Sequence, residues 1–196
     1  KPVAVVVTTS FDNYDFVRER VVPGATCIFN YDEIGTVFNA EHTSLGDENE
    51  RYEDALWGLG DAIKLQTEQK YSLYVTMGKN GVLVADKNGD VYHLRLDNPE
   101  IANSLKGIIL QRDDSTNGAG DHFAAAVTAY EAQGMEAKTA CIYAQINSLH
   151  FIGYRGNIGV EDFVVRPVNK SRLTRQTTRR EPSATSSHLA RVEDAA

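Results

Sequence analysis

Val3-Ala4-Val5-Val6-Val7 is a β-branched run with no polar residue to turn toward water, the pattern of a strand buried on both faces. Ala25-Thr26-Cys27-Ile28-Phe29 reads as a second strand and Tyr71 to Thr76 as a third. Between them Tyr52, Ala55, Leu56, Leu59 and Ile63 recur at helical spacing, with Asp47, Glu48 and Glu50 at the end where a helix dipole favours negative charge. Gly81 to Ala85 and Val91 to Leu94 flank Lys87-Asn88-Gly89-Asp90, so this stretch reads as a hairpin, with Asn-Gly as its turn signal. Two more helices are expected at about Ala119 to Ala132 and Ala137 to Phe151. Strands alternating with helices predict an α/β domain with a mostly parallel sheet.

The length of 196 residues suits one domain, here residues 1–168, followed by a polar tail at 169–196. From Lys170 onward the chain carries +3, so the remainder carries −10 within a net charge of −7. That balance argues against a generic nucleic-acid binder. No apolar run approaches the length of a membrane span. Cys27 and Cys141 form no C-x-x-C pair, and the five histidines show no metal-ligand spacing with them, so a reducing, cytoplasmic setting is expected. The chain opens with Lys1-Pro2 and no signal peptide, the expectation for a piece of something longer. The Ser/Thr/Arg-rich tail reads as a mobile extension.

Chemistry concentrates at Asp114-Ser115-Thr116-Asn117-Gly118-Ala119-Gly120-Asp121, directly before the small-residue helix that begins His122-Phe123-Ala124. Glycines let the backbone turn tightly and approach a ligand. The first amides of a helix lack intrahelical partners and sit at its positive end, so an anion such as phosphate belongs there. Asp121 lies inside the first turn, where a carboxylate beside a bound phosphate suits a general base on an attacking hydroxyl. A glycine-rich turn with a helix-start aspartate remains the plain alternative on pattern alone.

The Asp-Ser-Thr-Asn-Gly-Ala-Gly-Asp stretch resembles the D-T-x-G-A-G-D signature of the ribokinase/PfkB family of carbohydrate and nucleoside kinases, and Asn117 looks most like the adenosine-kinase branch. Two further matches fall in family order. Asn30-Tyr31-Asp32-Glu33 resembles the N-x-x-E motif, and Thr76-Met77-Gly78-Lys79-Asn80-Gly81 resembles the T-x-G-x-x-G turn. The resemblance implies a three-layer α/β/α fold and an ATP- and Mg²⁺-dependent transfer of the γ-phosphate to a hydroxyl of a sugar or nucleoside. It implies Asp121 as the base and the backbone of Asn117, Gly118, Ala119 and Gly120 as the anion hole. It also implies nucleotide contacts at Thr76, Gly78 and Gly81, and magnesium placed by Asn30 and by Glu33 through water. Gly153 to Gly159 would lie near the adenine.

Two departures qualify that expectation. His122 and Ala124-Ala125-Ala126 stand where the family usually has a small residue and then a glycine pair. The likeness is also to the C-terminal half of the family domain alone, without the N-terminal half and its lid. A half sheet exposes an edge, so a second copy or a partner chain is expected to cover it. A non-catalytic, kinase-like scaffold or subunit is therefore the rival to the enzyme.

Overall fold

The computed structural model describes residues 4–6, 14–38, 48–66, 70–110 and 117–174. Asp47, Asp114, Ser115, Thr116 and most of the expected tail lie outside the described residues. Six strands form one sheet in sequence order: β1 (Ala4–Val6), β2 (Thr26–Asn30), β3 (Leu73–Thr76), β4 (Val82–Ala85), β5 (Val91–Leu96) and β6 (Phe163–Pro167). β1, β2 and β3 run parallel, while each later strand is antiparallel to its neighbour.

The sheet is therefore mixed, where a mostly parallel one was expected. Short connections explain this. The turn at 77–81 and the hairpin at 86–90 reverse the chain within a few residues, which only antiparallel pairing permits. Asp86 organises the hairpin by accepting from the backbone N–H of Asn88 and of Asp90.

Helices cover both faces, as the apolar strand runs require. Cys27, Phe29, Leu73, Val75, Leu83 and Ala85 face α2 (Tyr31–Val37) and α3 (Glu48–Leu65), packing on Ile34, Val37, Leu56 and Leu59. The alternate residues Ile28, Tyr74, Val82, Val84 and Leu94 face α5 (Ala119–Ala132) and α6 (Ala137–Phe151) through Phe123, Val127, Ala140 and Ala144. This period-two division gives the three-layer α/β/α arrangement. The three-residue α1 (Tyr14–Phe16), which runs on into a π-helical turn at Val17–Val21, leads into β2. The helix α4 (Pro99–Leu110) joins the sheet to α5, buries Ile101 and Leu105, and begins where Asn98 Oδ1 accepts from the N–H groups of Glu100 and Ile101.

Asn169 to Thr174, assigned from sequence to the polar tail, fold back onto α3. Leu173 is buried in the α3 core cluster, and a Cβ at Gly60 would stand 2.0 Å from the Leu173 carbonyl oxygen. One leucine among polar residues supplies the anchor, too little to show as a period in the sequence. Among the described residues, no helix is long and apolar enough to cross a membrane.

Candidate functional site

β2 and β3 end side by side, with Asn30 and Thr76 as register partners. In an open α/β sheet the outer ends of parallel strands are where ligands bind. α5 brings its first turn to this edge. Glu131, near its far end, takes a hydrogen bond from Tyr74 Oη at 2.8 Å and one from Thr26, the first residue of β2, at 3.4 Å. Ala119, at its near end, packs in a cluster with Leu96, the last residue of β5. The helix therefore runs antiparallel to β2 and β3, and its 14 residues span about 20 Å against about 16 Å for a five-residue strand.

The start of α5 is exposed. Gly118 occupies the N-cap in the left-handed region, at φ 80°, with no side-chain cap hydrogen bond. Asn117, Gly118, Gly120 and Asp121 are all exposed, and a Cβ on Gly120 would meet nothing within 4 Å. The turn is supported from behind by α6. Ser148 Oγ donates to the Ala119 carbonyl at 3.3 Å. The Phe151 ring lies 3.5 Å from where a Gly118 Cβ would be, and His122 stacks on that ring with centroids 4.7 Å apart. A positive helix end and a glycine that lets the chain pass close together suit a phosphate group. Asp121 stands in the first turn, turned to solvent rather than into the core.

The start of α2 differs. Asn30 Oδ1 accepts from the Glu33 N–H at 2.9 Å, and Glu33 Oε2 accepts from the Asn30 N–H at 2.6 Å, a reciprocal capping box. Glu33 is buried, so the solvated helix-start acid that one would otherwise expect is not what folds. This donor set suits a cation only across a water, since one Glu33 oxygen and the Asn30 oxygen already serve the helix. Among the described residues, no group of three or more His, Cys, Asp or Glu could hold a metal.

The turn after β3 completes the edge. Thr76 is half-buried and its Oγ1 donates to the Phe29 carbonyl at 3.3 Å. Met77 N–H donates to Gly81 O, Asn80 N–H to Met77 O and Gly81 N–H to Gly78 O, closing a tight loop. Gly81 has φ 87° and passes so close to β5 that a Cβ would fall 2.1 Å from the Leu94 oxygen, so only glycine fits. Gly78, at φ 55°, has open space around it. Asn80 Nδ2 donates to Tyr31 Oη at 3.3 Å, and its carbonyl accepts from His93 at 2.7 Å.

Asn30 and Thr76 at strand ends, Glu33 in the first turn of α2, and Gly78 and Gly81 in the turn after β3 thus lie at one end of the sheet, the end to which α5 brings Asn117 to Asp121. Tyr31, His93 and Phe151 were not singled out. Their signal is three-dimensional, since they support this edge from elements distant in sequence. Both cysteines lie in the core. Burial pushes the Cys27 thiol up to about 12 and the Cys141 thiol higher still, so neither is a nucleophile here.

Three solved structures share this architecture. A ribokinase from Cryptococcus neoformans in complex with ADP matches with a TM-score of 0.59 and 19% identity over 79% of this chain and 47% of its own. A pyridoxal kinase from Staphylococcus aureus in complex with pyridoxal matches at 0.51 with 22% identity, covering 80% of this chain and 56% of that one. An adenosine kinase from Schistosoma mansoni in complex with 2-fluoroadenosine matches at 0.50 with 19% identity, covering 76% and 41%. The fold is ribokinase-like. The chain spans about half the length of these kinases. No protein-family model and no curated protein sequence matches it.

Proposed function

We propose that this chain is the nucleotide-binding part of an ATP-dependent phosphotransferase that moves the γ-phosphate to a hydroxyl of a sugar or nucleoside. The observation that carries this reading is the α5 start, which has no side-chain cap at Gly118 and an exposed Asp121 in its first turn. In the proposal the amides of Asn117 to Gly120 take the charge that develops on the transferring group. Asp121 accepts the proton of the attacking hydroxyl. Thr76, Gly78 and Gly81 border the nucleotide. Mg²⁺ would neutralise the nucleotide phosphates, held through water by Glu33 and Asn30. The open edge of β1, which pairs with β2 alone among the described strands, would be covered by a second copy or a partner chain.

The test is transfer from Mg-ATP to a panel of sugars and nucleosides by this chain and by Asp121→Asn. Loss of the base should lower turnover by about 10²- to 10⁴-fold. Turnover within a few fold of the parent would overturn the role of Asp121. His122 and Ala124-Ala125-Ala126, where the family resemblance expects a small residue and a glycine pair, favour a second reading, a nucleotide-binding subunit without catalysis. ADP binding with no transfer to any acceptor would favour it.

A further inference from the structure

His93 is half-buried on β5, and nothing in the proposed reaction uses it. Its Nε2 lies 2.7 Å from the Asn80 carbonyl oxygen. A carbonyl can only accept, so Nε2 carries the hydrogen, and a neutral ring leaves Nδ1 bare. Three backbone bonds within the 77–81 turn close the loop upon itself, while Met77 is buried in the core beside α2 and α3 and Lys79 pairs with Glu48 of α3 at the surface. Both its glycines have positive φ, and Gly78 has no neighbour to steady it. Asn80 ties the far side of the turn, its carbonyl held from β5 by His93 and its side-chain amide held from α2 by Tyr31.

The His93 ring is itself held. Tyr52 of α3 packs against it with centroids 5.2 Å apart, and Arg172 lies over Tyr52 while pairing with Glu53. The segment after β6 thus braces the ring.

We propose that His93 is a positioning residue, whose Nε2–H holds the 77–81 turn in the shape that a nucleotide meets. The ligand named here rests on the phosphotransferase reading; the pin itself does not. Burial above all, with the nearby Arg95, Arg166 and Arg172, lowers the tendency of His93 to take a second proton and outweighs the Asn80 carbonyl, which raises it; the net direction agrees with a neutral donor.

Three measurements on the full chain test this. Nitrogen-15 NMR of the wild type should show His93 with Nε2 protonated and Nδ1 bare; a proton on Nδ1 alone would overturn the proposal without any variant. Hydrogen exchange at the Asn80 and Gly81 amides should accelerate about tenfold in His93→Leu, which keeps an apolar side chain but loses the donor, and return near wild type in His93→Gln, which restores an N–H. ADP titrated by calorimetry should bind about tenfold more weakly to His93→Leu, with the same rescue by glutamine. A merely structural histidine would change melting temperature in both variants and leave the turn amides and ADP affinity alone, and that result would overturn the proposal. Should ADP fail to bind the wild type, the phosphotransferase reading falls, while the exchange result still decides whether the pin exists.

Discussion

Two helices begin at the same edge of the sheet and meet the same physical problem in opposite ways. Each starts with amides that have no partner inside the helix. α2 satisfies its own through the reciprocal Asn30–Glu33 box, with the carboxylate buried. α5 begins at a left-handed glycine that has no side chain to offer, with exposed residues around it. The first arrangement is closed and contributes to stability. The second has no N-cap side chain to make that contribution. Where two neighbouring helix starts differ this way, the uncapped one is the better candidate for the ligand.

Asn30→Ala should break that contrast most strongly, because it opens the closed start. It removes the acceptor for the Glu33 N–H at a half-buried site, and should cost about 1–2 kcal/mol of stability in urea unfolding. ADP affinity measured without metal should hardly change. A loss of affinity comparable to that of a change at the α5 start would mean the two helix starts are not divided as described.

Gly120→Ala sharpens it from the other side. A methyl there meets no protein atom, and alanine is the better helix former, so the protein should gain up to about 1 kcal/mol. If a phosphate approaches the backbone at this turn, the same methyl stands in its way, and ADP affinity should fall while the melting temperature rises. Opposite signs in one variant are hard to obtain from a purely structural turn. Equal or improved affinity would place the ligand elsewhere.

The parts legible in the sequence are those fixed by short-range pattern. α5 and α6 fall at the expected residues, because small and apolar residues recur there between glycine and polar breaks. The Asn88-Gly89 hairpin was plain, and the glycine turn at 77–81 was in place. α4 was not foreseen, although Asn98-Pro99 is a cap followed by a first-turn proline, and neither was β6. β6 has little alternation to show, being an edge strand with only Phe163 buried. Glu33 was legible as a residue but not as an environment. Its burial depends on α3 packing across α2, and at Gly58 that approach is close enough that a Cβ would lie 2.9 Å from Ile34. His93 lies at an ordinary strand position, and only the fold brings it to Asn80.

The smallest expected effect concerns the boundary between these regions, where the 77–81 turn meets the sheet. Folding lowers the affinity of His93 for a proton, first by burial and then by Arg95 and Arg166. In the unfolded chain the ring recovers its ordinary value of 6.5. As pH falls through 6.5 the unfolded state takes up a proton that the folded state declines, so stability decreases with falling pH and levels off below the folded value. His93→Gln has no such group. The melting temperature of the wild type should therefore fall more steeply than that of the variant on acidification from neutral pH, with the two curves parallel above it. Carboxylates shared by both proteins cancel in the comparison. Parallel curves throughout would mean that the folded ring accepts its proton freely, and that the turn it holds is less enclosed than the packing of Tyr52 and Arg172 implies.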